Sequence, residues 1–315
     1  MGRRLAWIPV VLVALVRIGL AGPEGPRRCS LWIDLCQGEP VAYAEMLADL
    51  AEARVVYLGE RHTLARHHDT QLRILEDLAA RGRRLVLGLE QLEAAHQATL
   101  DRFNQGQIDF AQLAAATGWP QRWRNYQQYQ PLLEAARTRN IPVVALNAPA
   151  ELIRRVAREG GVDKLPAEAR AGLPVELQLC DPPYEKLLGL QLMVHMAATP
   201  ERLRPMIEAQ IARDECMAHS LANYLRSEAG ANRTAVVLCG AGHAAYGLGM
   251  PARVQRRLGE VRQRIVLLSA SGDVELSSEE KAASRDVEIT HEDLRSLRLP
   301  VGDYLQARSL AQDAD

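Results

Sequence analysis

Two G-x-x-H motifs each follow a short apolar run and could bring two histidines into one site. The first is Gly59-Glu60-Arg61-His62, after residues 55–58, and the second is Gly240-Ala241-Gly242-His243, after residues 235–239. An apolar, β-branched run that ends in a glycine turn is typical of a buried parallel strand. Because ligands of open α/β sheets bind beyond the carboxyl ends of such strands, the two histidines are predicted to converge.

Two further predicted strands, at 85–89 and 141–146, end at Glu90 and Asn147. Imidazole and carboxylate groups ligate Zn, Mn, Fe or Co, and the same groups serve as general acid and base without a metal. The sequence therefore predicts one shared polar site, either catalytic or metal-binding, formed by Glu60, His62, Glu90 and His243.

Other side chains near these motifs could bind a cofactor. Two histidines begin a predicted helix at 65–80, one tyrosine follows the second motif, and two tyrosines lie in the aromatic stretch 119–129. Tyrosinate is an accepted axial ligand of haem iron. The histidines and the asparagine could instead be solvated or turn residues. The candidate cofactor-binding residues are Tyr246, Tyr129, Tyr126, His67, His68 and Asn147.

The composition is that of a globular chain without a nucleic-acid footprint. Of its 315 residues, 48% are hydrophobic, which is enough to bury a large core. The formal net charge is -1, so there is no general basic surface for nucleic acid.

The first 21 residues have the features of a targeting segment. Arg3 and Arg4 precede an apolar stretch at 5–16, which is too short to span a bilayer, and Gly19-Leu20-Ala21 offers small residues for cleavage. We expect a signal peptide or an uncleaved anchor, and in either case a location at the cell envelope, periplasmic or attached to the membrane only through the N-terminus. The chain lacks a clear lipid-attachment cysteine, which argues against a lipoprotein anchor.

The rest of the chain alternates apolar runs with helical periodicity. Residues 22–40 are rich in Pro and Gly and are predicted to form a linker. Residues 41–310 are predicted to form one α/β domain, with a mostly parallel central sheet flanked by helices. Residues 149–230 lack a strong strand pattern and are predicted to be a helical insertion before the fourth strand. A fifth strand is expected at 265–268 and a final edge strand at 302–305.

An ordered set of motifs resembles the ChaN-like haem-binding uptake family of the Tiki/TraB/erythromycin-esterase-like superfamily. The resemblance covers roughly residues 41–270 and is carried by 59–62, 67–71, 88–90, 129–132, 141–149, 209–218 and 240–251. It implies a cell-envelope protein that binds haem or a small iron compound for iron uptake. A homodimer is a further expectation.

The same resemblance leaves an enzymatic alternative open. Relatives in the wider superfamily are metal-dependent hydrolases, and the four strand-end side chains match the motifs that the superfamily shares. The alternative function is therefore a metal-dependent esterase or peptidase with a divalent metal, in which Glu60 or Glu90 is the general base. The sequence does not decide whether the chain is an enzyme.

Overall fold

The computed structural model describes residues 30–195, 200–270 and 299–308, so the predicted signal peptide or anchor at 1–21 lies outside the described residues. The strands are β1 Ser30–Asp34, β2 Glu39–Pro40, β3 Val55–Glu60, β4 Leu85–Glu93, β5 Val143–Asn147, β6 Thr234–Gly240, β7 Gln263–Leu268 and β8 Tyr304–Arg308. The helices are α1 Tyr43–Ala51, α2 Ala65–Ala80, α3 Gln97–Asn104, α4 Phe110–Thr117, α5 Trp119–Arg122, α6 Gln130–Thr138, α7 Ala150–Glu159, α8 Ala167–Arg170, α9 Pro182–His195, α10 Pro200–Arg226, α11 Ala241–Ala244 and α12 Met250–Leu258.

These strands form one sheet in the order β2-β1-β8-β7-β3-β6-β4-β5. Every neighbouring pair from β8 to β5 is parallel, whereas β1 is antiparallel to both β8 and β2. The predicted α/β class with a mostly parallel sheet is confirmed, and the strand pattern 55–60, 85–93, 143–147 and 234–240 agrees with the buried runs of the sequence.

Two sequence predictions differ from the structure at the antiparallel side of the sheet. Part of the segment predicted as a linker forms β1 and β2, and the strand predicted as an edge, β8, lies between β7 and β1. β1 could not be predicted from this Pro/Gly-rich segment. Trp32 is its one buried residue, and a single buried position gives no apolar periodicity that would indicate a strand.

Both faces of the parallel strands are buried. On β3, Val56 and Leu58 pack into one core with residues of α1, α2, α3, α4 and α6. Val55 and Tyr57 point to the opposite face and pack with residues of α10 and α12. Because side chains alternate between the faces of a strand, each strand contributes to two cores, which explains its near-continuous apolar sequence.

The predicted helical insertion lies between β5 and β6 and consists of α7, α8, α9 and α10 in the described residues. Along α10, Met217 and Leu221 face the sheet, while Ala209 and Ala212 pack with Ile153 of α7. The insertion therefore covers one face of the sheet. The amino-terminal half of α10 lies beside the carboxyl ends of the strands. None of the helices described is both long and apolar enough to cross a bilayer.

Candidate functional site

The order of the strands brings the predicted site residues together. β6 lies between β3 and β4, so Glu60 of β3, Glu90 of β4 and His243 of α11, directly after β6, share one end of the sheet. His243 Nε2 lies 3.2 Å from Glu90 Oε1, and His62 Nε2 lies 3.8 Å from the same oxygen. The structure thus places Glu60, His62, Glu90 and His243 in one cluster.

Strand alternation sends the two carboxylates to opposite faces of the sheet. Glu60 follows Val56 and Leu58 on one face, whereas Glu90 is in step with Val86 on the other. His62 joins them across the sheet end, because its Nδ1 is 2.7 Å from Glu60 Oε1 while its Nε2 faces Glu90. The His62 side chain is 29% exposed, whereas both carboxylates are buried.

Glu60 is a buried carboxylate with an unusually full set of partners. His68 Nε2 lies 3.3 Å from its Oε2. Burial alone would raise the pKa of Glu60, but the contacts with His62 and His68 outweigh burial and lower the pKa to about 2. Uncharged donors complete the set: Gln71 Nε2 at 2.6 Å, Gln91 Nε2 at 3.0 Å and the Tyr129 hydroxyl.

Glu90 and His243 form the buried half of the cluster on the other face. The Gly240 N–H donates to Glu90 Oε2 at 2.7 Å, and His243 Nδ1 lies 2.6 Å from Asp214 Oδ1. The Tyr184 hydroxyl donates to Asp214 Oδ2. Burial would lower the pKa of His243, but the charges and hydrogen bonds of Glu90 and Asp214 raise it to about 10. Burial would raise the pKa of Glu90, but His243, His62 and the Gly240 N–H lower it.

Acidic and basic groups therefore alternate across the end of the sheet. We call this row the acid–base chain; in order, its members are Asp214, His243, Glu90, His62, Glu60 and His68. Each imidazole of the row lies within 4 Å of at least one carboxylate, and such pairing is the condition under which buried charges are tolerated. His62 is its exposed member and is the side chain that can exchange a proton with a bound molecule.

Two local features of the backbone make this contact geometry possible. A Cβ on Gly240 would lie 2.9 Å from His62 Nε2, so a larger residue there would displace the imidazole. The pairing of β4 with β5 shifts register between Leu89 and Glu93, a bulge that includes Glu90. The Asn147 amide donates to the Glu90 backbone carbonyl at 2.8 Å, at the position of the bulge.

The predicted cofactor residues divide into those that reach the cluster and those that do not. Tyr129, His68 and Asn147 contact it. Tyr126 packs with Phe110 and Trp119 in the apolar core. His67 uses both ring nitrogens on the backbone: Nδ1 accepts from the Arg61 N–H at 2.9 Å, and Nε2 lies 3.1 Å from the Ser269 carbonyl.

Tyr246 lies beside the cluster rather than in it. It has a left-handed backbone conformation (φ 59°) and packs against a group of buried residues that includes Tyr184 and Leu188. Burial raises its pKa. Burial and Glu60 raise the pKa of Tyr129 far above its usual value, which disfavours the tyrosinate form there.

Several residues of the site were not predicted as such from the sequence. Asp214 and Gln210 both contact His243, and they lie four residues apart on α10, so they share one helix face. The i, i+4, i+7 spacing of Gln210, Asp214 and the sheet-facing Met217 is the signal that could have identified them.

A cavity of about 600 Å³ opens beside the acid–base chain, between α7, α9 and α10; we call it the apolar cavity. Its described lining contains two arginines and no carboxylate. The arginines are Arg154 and Arg213, and the Nε atom of Arg213 is buried with no hydrogen-bond partner among the described residues. Most of the remaining lining is apolar: Ile153, Ala157, Leu188, Leu192, Met206 and Ala209.

The predicted divalent-metal site is not supported by the geometry. Across residues 30–195, 200–270 and 299–308, no group of three or more His, Cys, Asp or Glu side chains is arranged to hold a metal ion. Glu60 illustrates the reason, because its oxygens already accept hydrogen bonds from Gln71, Gln91 and Tyr129.

The protein has a mostly parallel α/β sheet, an acid–base cluster at the strand ends and a helical insertion beside that cluster. These three features are what the structure contributes to assigning its family. The family model for haem-binding uptake proteins of the Tiki superfamily, ChaN, matches residues 46–254, and this chain belongs to that family.

Two individual proteins illustrate the similarity. The chain is 27% identical over 259 residues to Protein RETICULATA-RELATED 5, chloroplastic, of Arabidopsis thaliana, across 73% of this chain and 34% of that protein. It thus spans about a third of the length of that relative. A solved structure of ChaN of Campylobacter jejuni, described with cofacial haem binding, superposes with a TM-score of 0.65 at 18% identity, covering 89% of this chain and 97% of that one. The similarity to the Campylobacter jejuni structure shows a shared fold.

Proposed function

We propose that this protein binds haem in the apolar cavity and serves iron uptake. The observation that carries the proposal is the combination of apolar walls with Arg154 and Arg213 in a cavity of about 600 Å³. Ligand pockets for molecules of this size are mostly apolar with a few placed polar groups. Haem is a flat, apolar ring with two carboxylates, so the lining fits its chemistry. Membership of the ChaN family supports the same ligand.

Each part of the cavity has a distinct role in this proposal. The aliphatic side chains on α7 and α9 contact the ring and exclude water from it. Arg154 and Arg213 bind the carboxylates, because a guanidinium matches a carboxylate with two parallel hydrogen bonds. Tyr246 is the candidate iron ligand, because it packs against a group that includes Leu188, a residue of the cavity wall.

A haem titration followed by visible absorbance tests this assignment. Wild type is expected to bind ferric haem, and Arg213→Gln is expected to weaken binding about 10- to 100-fold, since hydrogen bonds to charged groups contribute roughly 1.5–3 kcal/mol. The control is Arg155→Gln, because Arg155 lies on α7, pairs with Glu159 at 2.7 Å and does not line the cavity. Tyr246→Phe is expected to change the ferric spectrum. Equal affinity in all four proteins would contradict the assignment.

A hydrolase is the second candidate, and the exposed His62 between two carboxylates is the observation that favours it. A histidine held in this way is suited to general acid–base catalysis. The binding proposal predicts that the purified wild type does not hydrolyse ester or peptide substrates. Turnover by the wild type that disappears in Glu90→Gln would favour the hydrolase instead.

We also propose that the protein functions at the cell envelope. The support for this location is the charged and apolar pattern of residues 1–21. Fractionation of cells that express the full chain, compared with a chain that lacks residues 1–21, tests the location. Recovery of both forms in the cytoplasm would contradict it.

A further inference from the structure

A second, smaller cavity adjoins the acid–base chain and is polar. It has a volume of about 290 Å³, and we call it the polar cavity. Its lining includes Trp123, whose ring stands edge-on to the His62 imidazole at a centroid distance of 4.6 Å. It shares Arg154 and Arg213 with the apolar cavity, so the two cavities meet at these arginines.

Gln91 lines this cavity and carries an unpaired acceptor. Its side chain is 97% buried, and its Nε2 donates to Glu60 Oε1 at 3.0 Å. The pKa of Glu60 is lowered, so Glu60 is ionised and can only accept hydrogen bonds. The Gln91 amide therefore cannot flip. Its carbonyl oxygen, Oε1, is buried and has no hydrogen-bond partner in the described part of the chain.

Asn147, at the end of the neighbouring strand β5, is a second amide with a fixed donor and an unpaired acceptor. Its Nδ2 donates to the backbone carbonyl of Glu90 at 2.8 Å, and a carbonyl also can only accept. The orientation of the amide is therefore fixed, and its Oδ1 is likewise buried without a partner among the residues described. Each unpaired buried acceptor destabilises the protein by roughly 1–3 kcal/mol, so a donor that binds in the cavity lined by both residues and reaches both acceptors would stabilise the folded protein.

Of the three arginines that line the polar cavity, two pair with carboxylates. Arg122 pairs with Glu93, and Arg154 pairs with Glu151 at 3.0 Å. The Nε atom of Arg213, in contrast, is buried and finds no hydrogen-bond partner within the described ranges. The residues that line the polar cavity therefore offer two fixed acceptors and one cationic side chain, Arg213, whose Nε has no partner among the described residues.

We propose that the polar cavity binds a free α-amino acid. An ammonium group carries three donors and satisfies the carbonyl oxygens of Gln91 and Asn147 together, whereas a hydroxyl carries only one. The carboxylate binds Arg213 through the planar guanidinium. A volume of about 290 Å³ accommodates a molecule of this size, and Trp123 contacts its side chain. This site shares Arg154 and Arg213 with the haem cavity, whereas Gln91, Trp123 and Asn147 line the polar cavity alone, and amino-acid binding does not require haem.

The test measures the melting temperature of the full chain with glycine, L-alanine, L-serine, L-glutamine and L-glutamate, each added alone. At least one of these probes is expected to raise the melting temperature in a saturable way, because a ligand that binds only the folded state stabilises it. Propylamine and propionate, which each carry half of the recognised chemistry, are expected to have no effect at the same concentration.

Two variants connect the binding to the proposed residues. Arg213→Met and Asn147→Leu are each expected to raise the dissociation constant of that amino acid at least about tenfold. Arg155→Met, on the outside of α7, is the control and is expected to bind as wild type does. If no probe shifts the melting temperature, water fills the cavity and the proposal is wrong. Unchanged affinity in both variants would place the binding elsewhere and would also reject it.

The result can be separated from that of the haem titration. Asn147 does not line the apolar cavity, so the loss of amino-acid binding in Asn147→Leu can be measured by melting temperature without removing an arginine of the haem cavity. Haem binding without amino-acid binding would reject this inference alone, and amino-acid binding without haem binding would reject the proposed function alone.

Discussion

Gly240 shows how a residue without a side chain can control the chemistry of its neighbours. Its N–H donates to Glu90, and the position where a Cβ would lie is only 2.9 Å from His62 Nε2. Gly240, the first residue of the second G-x-x-H motif, therefore helps to position His62, the histidine of the first motif. The two motifs form one contact surface, with β3 and β6 paired from Val55 to Glu60.

Gly240→Ala is expected to push His62 away from Glu90 and to lower the free energy of unfolding by about 1–3 kcal/mol, the usual range for overpacking. The backbone of Gly240 (φ -57°) suits alanine, so the effect comes from the clash alone. Urea unfolding measures the change. The control is Gly189→Ala, because a Cβ there meets no described atom within 4 Å. Equal stability of the two variants would show that the His62 position is not tightly packed.

At the scale of elements, a strand could be predicted from the sequence when both of its faces are buried, as in the parallel strands, but not when few of its residues are buried, as in β1. β3, β4, β5 and β6 are buried on both faces, so their continuous apolar runs predicted them and the polar residues that follow them. β1 buries little besides Trp32, and its neighbour Leu31 is 44% exposed. Its pairing with β8 depends on a segment far away in the chain, which no local pattern encodes.

The same distinction applies to the site. Glu60 and Glu90 end apolar runs and were predicted, whereas Asp214 and Arg213 lie within a long helix whose orientation is decided by packing against α7 and α12. Local periodicity indicates the helix but not which of its polar residues faces the sheet end. For the same reason the two cavities, which are built from three or more elements each, had no sequence signal.

Trp32→Ala is expected to lower the free energy of unfolding by about 3–5 kcal/mol, as for other large buried aromatic side chains. Trp32 is 5% exposed and its ring centroid lies 5.6 Å from that of Tyr43 on α1. Leu31→Ala, at the adjacent and exposed position of the same strand, is the control and is expected to change stability by less than about 0.5 kcal/mol. Chemical denaturation compares them. A small effect at Trp32 would mean that β1 contributes little to the fold.

At the scale of the whole molecule, the acid–base chain makes stability depend on pH in a defined direction. The pKa of His243 is raised from 6.5 to about 10, so its stabilising contribution is complete below pH 6.5 and is lost as the pH rises towards 10. The pKa of Glu60 is lowered from 4.5 to about 2, so its contribution is complete above pH 4.5 and is lost as the pH falls towards 2.

Asp214→Asn is expected to flatten the basic limb of this profile. Without the Asp214 charge the pKa of folded His243 moves back towards 6.5, so less stability is lost between pH 6.5 and 10. Urea unfolding at a series of pH values measures the slope. Asp163→Asn serves as the control, because Asp163 is 81% exposed in a surface pair with Arg170. An unchanged slope in Asp214→Asn would show that His243 does not hold its proton through Asp214.

The position of β8 also sets the order in which the chain can be assembled. Residues 304–308 lie between β7 and β1, so β1 has no partner in the parallel sheet until this distant segment, the last strand of the described residues, has been synthesised. The parallel strands from β3 to β7 all precede β8 in the chain and pair with one another, so they can associate without it. β1 therefore joins the sheet only after residues 304–308 are present, by closing a contact between the two ends of the described residues. Completion of this sheet therefore follows the pairing of the parallel strands.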